Sequence, residues 1–176
     1  MKILLVCSTG GHFQALQQLH PFWEKHEQYW VTFRTESTEI ALTDKRVSWA
    51  FSPTNRNIPN LVRNLFLAGK ILWQERPDLV LTTGAGVAVP FIVLAKILGS
   101  ETAFVESFTR IKELSLSARL VLPFLDNLYV QWPQLQAKYP KSKLITPSNQ
   151  LVNQSIIFKL KDAMIRSSYY QEQSLK

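Results

Sequence analysis

The 176-residue sequence predicts an α/β fold: a Rossmann-like, mainly parallel sheet with helices on both faces. Three observations carry that expectation. Short apolar runs alternate with helix-periodic stretches of about 10–15 residues, the pattern of βαβ units. Two of the runs end in glycine-rich turns, Gly10-Gly11 and Gly84-Ala85-Gly86. The composition is 46% hydrophobic and 19% charged, which suits a packed core and not a disordered chain. A chain of this length forms one domain and buries about two-thirds of its unfolded surface.

Ile3-Leu4-Leu5-Val6 reads as the first strand, since an unbroken apolar run suits a strand buried on both faces. Gln14 to His26 reads as one helix. Tyr29 to Phe33 is β-branched and aromatic, hence a second strand. Glu36 to Ala41 forms a short helix, and Val47 to Phe51 alternates like a third strand. Pro59 to Glu75 places apolar residues at Leu61, Val62, Leu65, Phe66, Ala68, Ile71 and Leu72, which is helical spacing. Asp78 to Thr83 is a buried strand, and Val89 to Leu98 an apolar helix closed by Gly99. Thr102 to Glu106 and Asn127 to Gln131 are further strands, and Leu144 to Thr146 a short last one. These elements make up residues 1–149. Residues 150–176 hold one helix-compatible stretch, Ile156 to Ile165, and a polar end, read as a helix packing back on the sheet or a partner before a frayed tail.

The formal net charge is +7, spread along the chain: ten Lys/Arg against seven Asp/Glu up to residue 100, ten against six from residue 101 on. Such a balance suits anionic lipid, polyphosphate or nucleic acid equally. No nucleic-acid motif is present and the aromatics do not interleave with basic residues, so nucleic acid is not an expected partner. No signal peptide and no run of about 18 apolar residues is visible. The single cysteine, Cys7, excludes an internal disulfide and reads as a small buried hydrophobe, consistent with a reducing cytosolic compartment.

In a parallel sheet ligands bind outside the carboxyl ends of the strands. Three such ends carry polar or glycine-rich groups: Ser8-Thr9-Gly10-Gly11-His12, Thr82-Thr83-Gly84-Ala85-Gly86 and Glu106-Ser107-Phe108-Thr109-Arg110. Adjacent glycines let backbone approach a bound group, and a helix start favours phosphate. Structural turns explain the glycines equally well. Glu106 between apolar neighbours needs hydrogen-bond partners; it accepts from a sugar hydroxyl, orients another residue, or caps Ser107 and Arg110. The pattern is neither a Walker loop nor a full dinucleotide fingerprint, which disfavours a stand-alone nucleotide-binding protein. No His/Asp/Glu cluster has metal-ligand spacing, so neither a metal nor another cofactor is expected.

Gly10-Gly11-His12, Thr83-Gly84-Ala85-Gly86, Val105-Glu106-Ser107-Phe108-Thr109-Arg110, and Asp126 to Pro133 with Tyr139-Pro140 together resemble a known family. It is the acceptor-side, membrane-anchor type subunit of the split UDP-N-acetylglucosamine transferase of lipid-linked oligosaccharide synthesis, with bacterial exopolysaccharide and capsule counterparts. The resemblance covers about residues 1–145. It implies the N-terminal half of a GT-B glycosyltransferase, with a separate small GT-B C-terminal-half subunit carrying most of the donor site. The acceptor would be a polyprenyl-diphosphate sugar on the cytoplasmic membrane face, and the donor a UDP-sugar at the shared cleft. UDP-N-acetylglucosamine is the first choice; glucose, galactose and glucuronate donors stay open. By the same resemblance, Gly10, Gly11 and His12 contact the acceptor diphosphate or its reacting hydroxyl, Gly84 and Gly86 form a second phosphate- or sugar-facing loop, and Glu106 lies at the cleft. His12, whose ordinary pKa suits a general base, and Glu106 are the catalytic candidates. Ser8, Thr9, Gly10, Gly11, Thr83, Gly84, Gly86, Ser107 and Arg110 bind acceptor or phosphate. The alternative is a non-catalytic recruiting module, all chemistry lying in the partner chain.

The eukaryotic form carries an N-terminal membrane helix, whereas this sequence opens directly on the first strand. Attachment as a peripheral protein is therefore expected through an amphipathic surface or through partners. Ile58 to Trp73, beside Arg56, Arg63 and Lys70, is one candidate surface. The competing reading makes that stripe the core-facing side of a sheet-packed helix.

Overall fold

The computed structural model describes residues 1–54 and 57–145. Among them seven strands form one parallel sheet in the order β3-β2-β1-β4-β5-β6-β7. They are β1 (Lys2–Cys7), β2 (Glu27–Phe33), β3 (Val47–Ala50), β4 (Leu79–Gly84), β5 (Glu101–Val105), β6 (Asn127–Val130) and β7 (Lys143–Leu144). The chain runs outward from β1 to β3, then returns to pair β4 on the other side of β1. That reversal is the topological switch point of a doubly wound sheet.

Side-chain alternation explains the two cores. Ile3, Leu5 and Cys7 point to one face of β1, where they meet Phe13, Leu16, Phe22, Trp23 and Trp30. Leu4 and Val6 point to the other, packed with Ala68, Ile71, Phe91, Ile92, Ala118 and Val121. Helices therefore cover both faces: α1 (Gly11–Gln17) and α2 (His20–Trp23) on the first, α4 (Ile58–Glu75), α5 (Ala88–Ile97) and α6 (Leu116–Val121) on the second. Burial pushes the Cys7 thiol up to about 12, so the lone cysteine packs as a core hydrophobe.

Several boundaries differ from the sequence expectation, each for a local reason. The single helix expected over Gln14 to His26 is two, because Pro21 lacks an N–H and stands in the first turn of α2. The short α3 (Glu36–Ala41) is where expected and is fixed by a capping box between Thr35 and Thr38. Two helices not anticipated, α6 and α7 (Pro133–Lys138), fill the connections around β6. The last strand is Lys143–Leu144. Thr146, Arg56, the Ile156 to Ile165 stretch and the tail lie outside the described residues.

α4 departs most instructively. Its second half packs as expected, with Ala68, Ile71 and Leu72 buried. Its first half buries Asn60 and Asn64 instead and leaves Leu61, Val62, Leu65 and Phe66 exposed. The asparagines hold the preceding loop. The Phe51 amide donates to Asn64 Oδ1 and Asn64 Nδ2 donates back to the Phe51 carbonyl, both at 2.9 Å, while Asn60 Nδ2 donates to the Pro53 carbonyl at 3.0 Å. Loop carbonyls and amides in that position need polar partners. The core-facing reading thus fails for the N-terminal half of the stripe.

At the opposite edge of the sheet, burial raises the Glu101 carboxyl above its ordinary range and Asp126 adds to the effect; the Asn127 hydrogen bond, Lys143 and Lys96 oppose it. An acid that holds its proton more tightly when folded loses stability as pH rises from the unfolded pKa through the raised one. Glu101→Gln keeps the oxygen that accepts from Asn127 Nδ2 at 2.8 Å. This variant is expected to melt at a higher temperature than the parent at pH 7, and to lose that advantage below about pH 4. Thermal unfolding at the two pH values checks it; a lower melting temperature at pH 7 contradicts it.

Candidate active site

β1 and β4 are neighbours, so the Ser8–His12 and Thr83–Gly86 loops emerge side by side at the switch point. The pairing slips between Val6 and Cys7, where Thr82 lies opposite Val6 and Gly84 opposite Cys7. Gly84 takes φ 114° there, and its amide donates to Thr82 Oγ1 at 2.9 Å. This is backbone that only glycine adopts without strain.

The two loops are tied by a reciprocal pair of hydrogen bonds. His12 Nδ1 lies 2.7 Å from the Thr83 carbonyl oxygen, and Thr83 Oγ1 donates to the His12 carbonyl at 2.7 Å. A carbonyl only accepts, so Nδ1 carries the proton and Nε2 is the basic nitrogen of the neutral ring. Gly84 makes room for this ring: a Cβ at that position would come 3.2 Å from His12 Cε1 and 3.1 Å from Phe104 Cζ. His12 is half-buried and held by the Thr83 carbonyl. An imidazole with fixed tautomer at the carboxyl edge of the sheet is equipped to take a proton from a hydroxyl.

The remaining glycines border space. A Cβ on Gly10 or Gly11 would meet nothing within 4 Å, and Gly10, at φ 71°, precedes α1 without a side-chain cap. Gly86 is closed in by Thr54, whose Oγ1 would lie 3.1 Å from an added Cβ. Thr54 was not singled out from the sequence, since a lone threonine in a loop gives no signal. Ser8 and Thr9 are half-buried, with Ser8 Oγ directed at the Thr9 carbonyl at 3.4 Å.

β5 lies next to β4, which brings the third loop to the same edge. Its residues divide into two kinds. Glu106, expected at the cleft, is only 1% exposed. One carboxylate oxygen accepts from the Ser107 amide at 2.8 Å. The other accepts from the Ser115 amide at 2.8 Å and from Ser115 Oγ at 3.0 Å. The carboxylate therefore closes the 107–115 loop on itself, and Arg110 is not among its partners. Ser115 also caps α6 through the Ala118 amide. Nine residues separate Glu106 from Ser115, a spacing no local motif exposes. Ser107 is half-buried and Arg110 exposed, with the Arg110 amide donating to the Ser107 carbonyl at 3.0 Å. Outside the loop, Trp132 Nε1 donates to the Phe108 carbonyl at 2.7 Å and the two rings lie 4.9 Å apart.

A parallel sheet wound both ways, with two glycine loops and an oriented histidine at its switch point, has the Rossmann-like fold of one GT-B half. The family model described as "Oligosaccharide biosynthesis protein Alg14 like" matches residues 51–147, and the chain belongs to that family. The human UDP-N-acetylglucosamine transferase subunit ALG14 is 37% identical over 175 residues, covering 81% of this chain and 80% of the human protein. The Schizosaccharomyces pombe subunit is 43% identical over 74 residues, 39% of this chain and 35% of that protein. Among solved structures, MurG of Acinetobacter baumannii superposes with a TM-score of 0.68 at 16% identity. That match covers 85% of this chain and 46% of MurG, so the chain spans just under half of that enzyme.

Proposed function

We propose that this chain is the acceptor-binding subunit of a two-component glycosyltransferase. The reaction moves a sugar from UDP-N-acetylglucosamine to a polyprenyl-diphosphate-linked sugar at the cytoplasmic face of a membrane, where the chain sits as a peripheral protein. A second small chain supplies the other GT-B half and most of the donor site. The names of the curated relatives, each a transferase subunit, support the reaction class and a partner chain.

The observation that carries the reading is the His12–Thr83 lock at the switch point. His12 Nε2 takes the proton of the acceptor hydroxyl as its oxygen bonds to the sugar's anomeric carbon. The bond from that carbon to the diphosphate breaks, and UDP leaves with the electron pair. Gly10 and Gly11, with open space before them, let the acceptor diphosphate approach backbone amides. Ser8, Thr9, Thr83, Gly84 and Gly86 form the walls, and Ser107 and Arg110 face the diphosphate from the third loop. Glu106 acts through that loop as a positioning residue.

Reconstitution tests the proposal. This chain is co-purified with its companion subunit and given UDP-N-acetylglucosamine and a short-chain polyprenyl-diphosphate N-acetylglucosamine, with products read by mass spectrometry. The expected product is a lipid-linked disaccharide made by the pair and by neither chain alone. Turnover by this chain alone, or none by the pair, refutes it.

A further inference from the structure

The exposed half of α4 is a helix turned outward. Ile58, Leu61, Val62, Leu65 and Phe66 recur at i, i+3, i+4, i+7 and i+8, a continuous stripe over two turns. That stripe faces solvent, with Ile58 73% and Phe66 75% exposed. The opposite face is held down by the Asn60 and Asn64 amides. Apolar side chains of this size usually lie inside a domain, and a contiguous exposed patch marks an interaction surface.

Charge and position select the occupant. Arg63 and Lys70, seven residues apart, stand on one edge of the stripe, and no Asp or Glu occurs from residue 58 to 74. An apolar stripe edged by cations without acids complements an anionic lipid surface. α4 follows β3, so its first turns lie at the carboxyl edge of the sheet. Thr54, in the loop leading into it, abuts Gly86 of the candidate site. The stripe and the candidate site share one edge of the molecule.

We infer that the N-terminal half of α4 inserts its apolar stripe into an anionic membrane surface, with Arg63 and Lys70 among the headgroups. The inference rests on the proposed lipid-linked acceptor, and it sets the cleft against the bilayer that delivers that acceptor. The described helices include none long and apolar enough to span a membrane, and an interfacial stripe needs no span.

Flotation of the full chain with phosphatidylcholine vesicles, with and without phosphatidylglycerol, tests the surface. The parent is expected to float with the anionic vesicles and far less with neutral ones. The Leu65→Ser/Phe66→Ser double variant is expected to bind at least about tenfold more weakly. Arg63→Gln/Lys70→Gln is expected to bind weakly at low salt and to lose the salt dependence of the parent. The substituted side chains are exposed, so unchanged thermal unfolding identifies a folded variant. A parent that does not float, or a serine variant that floats as well as the parent, overturns the inference. So does a serine variant that keeps vesicle binding but no longer co-purifies with the companion subunit, which makes the stripe a protein interface. Transfer to the short-chain acceptor in detergent is read in parallel. Transfer without vesicle binding overturns the inference alone, while vesicle binding without transfer overturns only the proposed reaction.

Discussion

His12→Ala is expected to lower kcat of the reconstituted transferase at least about a hundredfold, with little change in acceptor KM. The expectation follows from the tautomer. The Thr83 carbonyl, 2.7 Å from Nδ1, fixes the ring proton there and leaves Nε2 to accept the proton of an incoming hydroxyl. An alanine leaves the carbonyl of the buried Thr83 without one donor, a loss of about 1 kcal/mol. For a chain of this size that is a shift of about 2–4 °C in melting temperature, so rate and stability separate. His12→Gln sharpens the test, since its amide can still donate to Thr83 while offering no basic nitrogen. If the ring only braces the two loops, glutamine restores most of the rate. If it is the base, glutamine is as slow as alanine. Near-parent kcat in both variants moves the chemistry to the partner and leaves this chain a recruiting module.

The strands and the shared edge were legible because their causes are local. Unbroken apolar runs such as Ile3 to Val6 can be buried on both faces only in the middle of a parallel sheet. A glycine pair after such a run admits the positive φ that turns the chain out of the strand, as Gly10 does at φ 71°. What stayed hidden depends on contacts distant in sequence. The pattern of α4 shows an apolar stripe but not which way it faces, because the direction is set by Asn60 and Asn64 reaching back to Phe51 and Pro53. The burial cost of Glu106 was legible, and with it the need for partners. That Ser115 is the principal partner was not. The break at Pro21 and the cap at Ser115 were present as local signals. They were outweighed by the apolar periodicity around them.

Glu106→Ala is expected to be the most destabilising single change at the site. It removes the acceptors of the Ser107 and Ser115 amides and of Ser115 Oγ around a residue that is 1% exposed. A buried amide left without an acceptor costs about 1–3 kcal/mol. Two such losses lower the melting temperature by about 4–24 °C. The 107–115 loop is released with them, so acceptor KM rises through Ser107 and Arg110 while the His12 lock stays intact. Glu106→Gln decides between a clamp and a proton-transfer group. Its carbonyl oxygen can still accept from Ser115, but its NH2 meets the Ser107 amide donor to donor. A clamp predicts that melting temperature and kcat/KM fall together in the order parent, glutamine, alanine. A carboxylate that moved protons would instead give a glutamine variant as slow in kcat as alanine and nearly as stable as the parent. The two outcomes separate on one plot of rate against melting temperature, because only the clamp couples them.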